Sequence, residues 1–286
     1  MSPSTFSVAR LKFHADLLNN VLGVDEKGVP ANADKHNKAS VHIAKMIVDQ
    51  LGATVSRARI AGQRSGNKFE GLCSEFLEAT FLPLKHLRPG TWRIRQVSGG
   101  NRMEIASYAQ YAHLLALQKA AEENAELRAA LGNDYTITPD IVVDRSPEPD
   151  STINEPGELV DMNVARHTSI RRVNNAHPLL HASISCKWTI RSDRAQNSRT
   201  EGLNLVKNRK GHLPHVVVVT GEPLPSRIAA IAIGTGEIDC VYHFALPELQ
   251  HAVTAGGFDD AKDLLDTMVA GKRLRDIADL PLDLAV

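Results

Sequence analysis

Residues 179–187 read Leu-Leu-His-Ala-Ser-Ile-Ser185-Cys186-Lys187, and the chain runs on as Trp-Thr-Ile-Arg191-Ser-Asp193-Arg194. The first nine residues form a strand that ends in a lysine. Side chains alternate along a strand, so Ser185 and Lys187 share a face. A second strand, Pro-His-Val-Val-Val-Val-Thr at 214–220, is apolar throughout, as a strand covered on both faces would be. A third, Ile-Thr-Pro139-Asp140-Ile-Val-Val at 137–143, carries an acid near its head, and a fourth spans 238–244. Trp-Arg-Ile-Arg-Gln-Val at 92–97 alternates like a strand and runs into Ser-Gly-Gly-Asn, a turn. Helical stretches over roughly 193–209 and 224–233 alternate with these strands. Strands interleaved with helices predict an α/β layer fold with a central mixed β-sheet flanked by helices.

The first 55 residues read mostly as helix, with apolar residues at helical spacing from Ala39 to Leu51. Ala61 to Lys68 reads as a polar, glycine-bearing loop containing Gln63 and Arg64. Ser65 or Asn67 would then cap a helix from Phe69 to Phe81 that holds Glu70 in its first turn. Tyr108 to Leu131 is the longest helical candidate, ended by Gly132. Residues 144–158, with three prolines, read as an exposed loop, and two acidic helices close the chain. Neither a repeat nor a linker is visible. The expectation is a single domain over 1–286, with its core at about 60–245 and helical N-terminal and C-terminal parts.

The 286 residues are 43% hydrophobic and 23% charged, as in an ordinary globular protein. No apolar run approaches the length of a membrane span, and the N-terminus lacks the apolar stretch of a signal peptide. A cytoplasmic location is the expectation. Cys73, Cys186 and Cys240 have no CxxC spacing, which argues against a zinc site or a disulfide framework. HExxH, GxSxG and P-loop patterns are absent. The net charge of zero offers no bulk attraction for a nucleic acid. Its distribution is uneven, with seven Lys/Arg against two acids from Lys187 to Lys210, and ten acids against four basic residues from Glu237 onward. Such a separation fits a face that holds DNA, with Lys207 and Lys210 on phosphates, and fits equally a fluctuation among solvated side chains.

An acid, a lysine and a second acid on adjacent elements can hold a divalent metal and activate water beside a phosphodiester. Asp140, Lys187 and Glu201 are such a set. Ser185 stands where the second acid would be expected, and a serine is a poor ligand for a hard cation. Glu201, in the first or second turn of the following helix, would bring its carboxylate into that space. Each residue also has a plainer role: Asp140 as a strand-end cap, Lys187 as a solvated edge lysine, Glu201 as a helix-start acid. Arg191, Asp193 and Arg194 are the types that read guanine and cytosine edges. They could equally be surface arginines around a capping aspartate. Gln63 and Arg64 could contact outer bases or phosphates, or be solvated.

The pattern Pro139-Asp140, Ser185-Cys186-Lys187, Arg191-Ser-Asp193-Arg194 and Glu201 resembles the type II restriction endonucleases of the PD-(D/E)xK superfamily. More narrowly, it is similar to the tetrameric group that recognises a CCGG core. The resemblance covers residues 139–201 and implies a restriction-endonuclease-like core. It implies that Asp140, Glu201 and the Cys186 carbonyl hold Mg2+, with two ions per site. It assigns Lys187 to the attacking water, Glu70 to an acid near the metals, and Ser185 to a supporting hydrogen bond. It implies cleavage of double-stranded DNA before the first C of CCGG, leaving 5′-phosphates and 5′ overhangs. It also implies a homotetramer built as a dimer of dimers, and a cognate DNA methyltransferase. Two other readings stay open. One is a structure-specific nuclease of the same fold, such as a junction resolvase or repair nuclease. The other is a non-catalytic DNA-binding protein.

Overall fold

The computed structural model describes residues 3–52, 62–97, 104–132, 137–234 and 236–286, with the backbone alone at 62–64 and 192–195. The chain opens with α1 (Thr5–Asn20) and α2 (Lys38–Gln50). Each begins at a side-chain cap: the Ser4 hydroxyl accepts from the Ser7 N–H, and the Asn37 carbonyl oxygen from the Ser40 N–H. Then follow α3 (Gly62–Phe81), β1 (Trp92–Gln96), α4 (His113–Glu123), α5 (Ala125–Leu131), β2 (Ile141–Arg145), α6 (Asp150–Ile153), β3 (Leu179–Lys187) and α7 (Ser192–Asn208). The rest is β4 (His215–Thr220), α8 (Pro225–Ala232), β5 (Cys240–His243), α9 (Leu246–Ala255), α10 (Asp259–Ala270), β6 (Leu274–Asp276) and α11 (Leu280–Asp283).

The strands form one mixed sheet in the order β1-β2-β3-β4-β5-β6. The β1–β2 and β2–β3 pairs are antiparallel, and the β3–β4, β4–β5 and β5–β6 pairs are parallel. On one side Phe69, Cys73, Phe76 and Leu77 of α3 pack with Ile184 and Cys186 of β3, joined by Phe13, Leu17 and Ile47 from the first two helices. A smaller cluster groups Tyr108, Tyr111 and Leu114 with Val142, Leu180, Val216 and Leu205 of α7. Burying each large aliphatic or aromatic side chain contributes roughly 1.5–3 kcal/mol. An ion-pair clamp holds α1 against the distal sheet edge: Arg10 donates to Asp276 at 3.0 Å and to Glu248 at 2.9 Å.

The central mixed sheet flanked by helices is as read from the sequence, and several boundaries differ. The helix expected from Phe69 begins at Gly62, so Gln63 and Arg64 lie on its first turn and Ser65 is not a cap. Ser65 is buried one turn before Phe69, and that packing outweighs the low helix propensity of Gly62 and Gly66. The expected helix 108–131 is two helices, because the Asn124 side chain caps α5 by accepting from the Leu127 N–H. β2 begins at Ile141, since Pro139 has no N–H to extend the ladder. β6, only three residues long, carries too little pattern to be read from sequence.

The loop expected at 144–158 is the start of a longer arm, 146–178, that separates β2 from β3. It folds around one guanidinium. Arg171, 2% exposed, donates to the Asp150 carboxylate at 2.6 and 2.9 Å and to the carbonyls of Asp161 and Val164. With its polar groups turned inward on Arg171, the arm leaves Leu159, Met162, Val164 and Val173 facing solvent.

His181 on β3 sits against Phe81 and Trp92 and has Nε2 at 2.7 Å from the Leu284 carbonyl. Burial pushes its pKa down to about 3 against the help of that carbonyl. A histidine held neutral binds fewer protons folded than unfolded. Its contribution is complete above its ordinary value near 6.5 and is lost as pH falls toward 3. Wild type should therefore lose about 2 kcal/mol more unfolding free energy between pH 7 and pH 5 than His181→Leu does. Urea titrations of both proteins at the two pH values check this, and parallel pH profiles would contradict it.

Candidate active site

Asp140 is fixed by its backbone before its side chain acts. Its N–H donates to the Ile184 carbonyl of β3 at 3.2 Å, and its carbonyl accepts from Val97, just beyond β1, at 2.9 Å. The carboxylate therefore stands at the end of β3. There Oδ2 accepts from the Cys186 N–H at 2.6 Å and from Lys187 Nζ at 2.8 Å. The Cys186 sulfur turns into the core, so this residue meets the site through its backbone. Burial pulls the Lys187 ammonium down, but the charge and hydrogen bond of Asp140, with Glu201 adding, hold it above its ordinary value.

Glu201 lies in the third turn of α7, later than expected, because the helix already begins at Ser192. Gly202 lets α7 settle close to the sheet, since a Cβ there would collide with the Glu237 carbonyl. The result brings Glu201 to Ser185: the hydroxyl donates to Oε2 at 3.4 Å, and Oε1 is buried with no hydrogen-bond partner. Burial pushes the Glu201 carboxyl up to about 7, with Asp140 adding and Lys187 opposing. Glu70, on α3, accepts from Gln96 Nε2 at 3.2 Å. Burial and the charge of Asp140 raise its pKa too. Three acids thus face one cleft, and two of them are held up by burial and by Asp140.

The cleft has a volume of about 1200 Å³. Glu70, Asp140, Lys187 and Glu201 line one part, and Arg191 lies along the same floor. Arg191 is exposed at the start of α7. Asp193 and Arg194 follow in its first turn, and their side chains, like those of Gln63 and Arg64, lie outside the described residues. Lys207 and Lys210 are not at the cleft. The Lys210 N–H bonds the Gln110 carbonyl, and the Gln110 side chain pairs with Leu180 at the start of β3. That is seven residues from Lys187, or roughly 23 Å at a strand rise of about 3.3 Å.

The opposite wall was not singled out in the sequence. It is made by Asn32, Asp34, Lys35 and His36 from the loop before α2 and by Arg227 from α8. Arg227 ion-pairs with Asp34, and Asn32 donates to the Gly221 carbonyl at 2.8 Å. Asn32 to His36 sit in an irregular segment and Arg227 on α8, and only the tertiary fold brings them to Lys187. Glu222, wholly buried behind this wall, was likewise missed. Its sequence signal is an acid two residues after an apolar strand.

A family model described as NgoMIV restriction enzyme matches residues 13–286, nearly the whole chain. The chain belongs to the NgoMIV restriction enzyme family. Among curated proteins, the Type II restriction enzyme NgoMIV of Neisseria gonorrhoeae is 60% identical over 282 residues, spanning 98% of this chain and 99% of that protein. Membership and this identity make the protein a type II restriction enzyme, a site-specific deoxyribonuclease. Among solved structures, the Type IIF restriction endonuclease Bse634I with cognate DNA aligns over 93% of this chain and 92% of that one, with 12% identity and a TM-score of 0.38. Among the described residues, no helix is long and apolar enough to cross a membrane.

Proposed function

We propose that this restriction enzyme is Mg2+-dependent and cuts double-stranded DNA at a palindromic site with a CCGG core, leaving 5′-phosphates and 5′ overhangs. The observation that carries the reading is the meeting of Asp140, Lys187 and Glu201 in a cleft along which Arg191 also lies. Cutting groups and a base-reading group then share one surface. A nuclease that cuts by DNA structure has no use for a reading group at that place, and a mere binder none for two acids driven together around a lysine.

A divalent cation fits these residues. Glu201 Oε1 is buried and unpartnered, and burial together with the charge of Asp140 raises both Glu201 and Glu70. Among the described residues, no three His, Cys, Asp or Glu side chains stand close enough to hold a metal alone. Asp140 and Glu201 would therefore hold Mg2+ together with the Cys186 carbonyl and DNA phosphate oxygens, for two ions per site. The bound metal would supply positive charge against the phosphate and lower the pKa of a nearby water. Lys187, kept charged by Asp140, orients that water and stabilises the charge developing on the phosphate. Water oxygen joins phosphorus as the 3′ oxygen leaves. Glu70, held by Gln96, positions a water, and Ser185 orients Glu201. Arg191 and Arg194 donate to guanine, and Asp193 accepts from cytosine. Gln63 and Arg64 reach flanking bases or phosphates. Lys35 and His36, at the cleft, take the phosphate role first read into Lys207 and Lys210.

A palindromic target calls for a symmetric assembly. Leu159, Met162, Val164 and Val173 of the arm are exposed, and the contact with a second copy in the proposed homotetramer is placed there. A cognate DNA methyltransferase and a cytoplasmic location complete the reading.

Incubation with plasmid and Mg2+, followed by sequencing of the ends, tests it. Discrete ends at CCGG-containing sites are expected. Scattered ends or branched-site cuts would favour the structure-specific nuclease, and intact plasmid the binder. Lys187→Ala should lose cleavage yet keep specific binding in Ca2+. Met162→Asp, at the arm's most exposed apolar residue, should lower the sedimentation mass from tetramer to dimer, and an unchanged mass would exclude the arm as the contact.

A further inference from the structure

Between Lys187 and Arg191 the chain makes a turn, 188–190, and both ends of that turn are fastened to the last residue of β4 and the two that follow it. At its start, the Lys187 carbonyl accepts from Thr220 Oγ1 at 2.8 Å and from the Gly221 N–H at 3.2 Å. At its end, the Ile190 N–H donates to Glu222 Oε2 at 2.8 Å. The other carboxylate oxygen, Oε1, accepts from the Leu224 N–H at 3.2 Å, at the entry to α8. Glu222 is itself held. Its N–H donates to Thr220 Oγ1 at 3.1 Å, and its carbonyl lies 3.2 Å from His243 Nε2, while His243 Nδ1 accepts from the Ala245 N–H. That acceptor role leaves Nε2 as the protonated nitrogen that donates to Glu222. Trp188 fills the turn, packed on Phe69 and Phe244, and Gly221 passes so close that any Cβ there would collide with the indole. Glu222 has no exposure, and its carboxylate touches neither solvent nor the cutting groups.

We propose that Glu222 is a positioning residue that sets the distance between Lys187 and Arg191, so that recognition of the target and placement of the scissile phosphate share one geometry. This rests on the cutting and reading roles proposed for those two residues. A carboxylate suits the task because it accepts from two amides at once, one on the turn and one at the start of α8. A glutamine has one acceptor oxygen, and its amide would point N–H groups at a second donor. Arg227 NH1 stands 3.9 Å from Glu222 Oε2 while NH2 of the same guanidinium pairs with Asp34, so the opposite wall of the cleft is referenced to the same carboxylate.

The test uses Glu222→Gln, which keeps size and shape, and Thr220→Val, which cuts the network beneath the Lys187 carbonyl. Single-turnover cleavage is measured on a CCGG-core duplex and on duplexes with one core base changed, alongside urea unfolding of each protein. Both variants should lose about 10- to 100-fold in cognate cleavage, the scale of a misplacement near 1 Å. The ratio between cognate and altered sites should fall by about 10-fold. A loss equal at every site, with the ratio unchanged, would make Glu222 a structural residue and overturn the proposal, as would wild-type rates and ratio in Glu222→Gln. If either variant unfolds, the other decides by the same two criteria. If the wild type itself shows no CCGG preference, the reading of Arg191 fails first, whatever the variants do.

Discussion

One carboxylate oxygen joins the strands that make the site. Asp140 Oδ2 accepts from a backbone amide and a side-chain ammonium of two successive residues, the Cys186 N–H and Lys187 Nζ. The amide contact fixes where the acid stands relative to β3, and the ammonium contact fixes where the lysine points. Lys187 is mostly buried, and an unpaired cation there would shed its proton. Paired with Asp140 it stays charged, as the role proposed for it beside the phosphate requires. Burial pushes Glu201 toward its protonated form, with Lys187 opposing and Asp140 adding.

The sheet explains why so few residues suffice. β3 is the seam between its antiparallel and parallel halves, with β2 on one side and β4 on the other. Asp140 arrives along the antiparallel neighbour, and Thr220 and Glu222 along the parallel one. Groups from three strands therefore meet where β3 ends, and the turn that leaves it leads directly to Arg191. A substitution in that turn would disturb both kinds of group together.

Much of this was legible in residue order, and what was hidden has identifiable causes. Asp140, Lys187 and Glu201 were singled out as an acid, a lysine and a second acid on adjacent elements, and the fold brings the three into one cleft. The displacement of the second acid from position 185 to 201 was visible as a missing carboxylate, and Ser185 does meet Glu201 in the fold. The start of α3 was misread because two glycines and polar residues look like a loop, whereas burial of Ser65 decides the matter. Lys207 and Lys210 are close to the site in number only: α7 runs away from Lys187, and Lys210 lies near the opposite end of β3. Asn32 and Asp34 lie in one segment and Glu222 and Arg227 in another far along the chain, so no local pattern could link the two.

The most direct measurement is a crystal structure of the protein with a CCGG-core duplex and Ca2+, which supports binding without turnover. The account predicts the duplex in the cleft, the cation between Asp140, Glu201 and the scissile phosphate, and Arg191 on a core guanine. A duplex seated instead across Lys207 and Lys210, with Asp140 and Lys187 away from any phosphate, would contradict it.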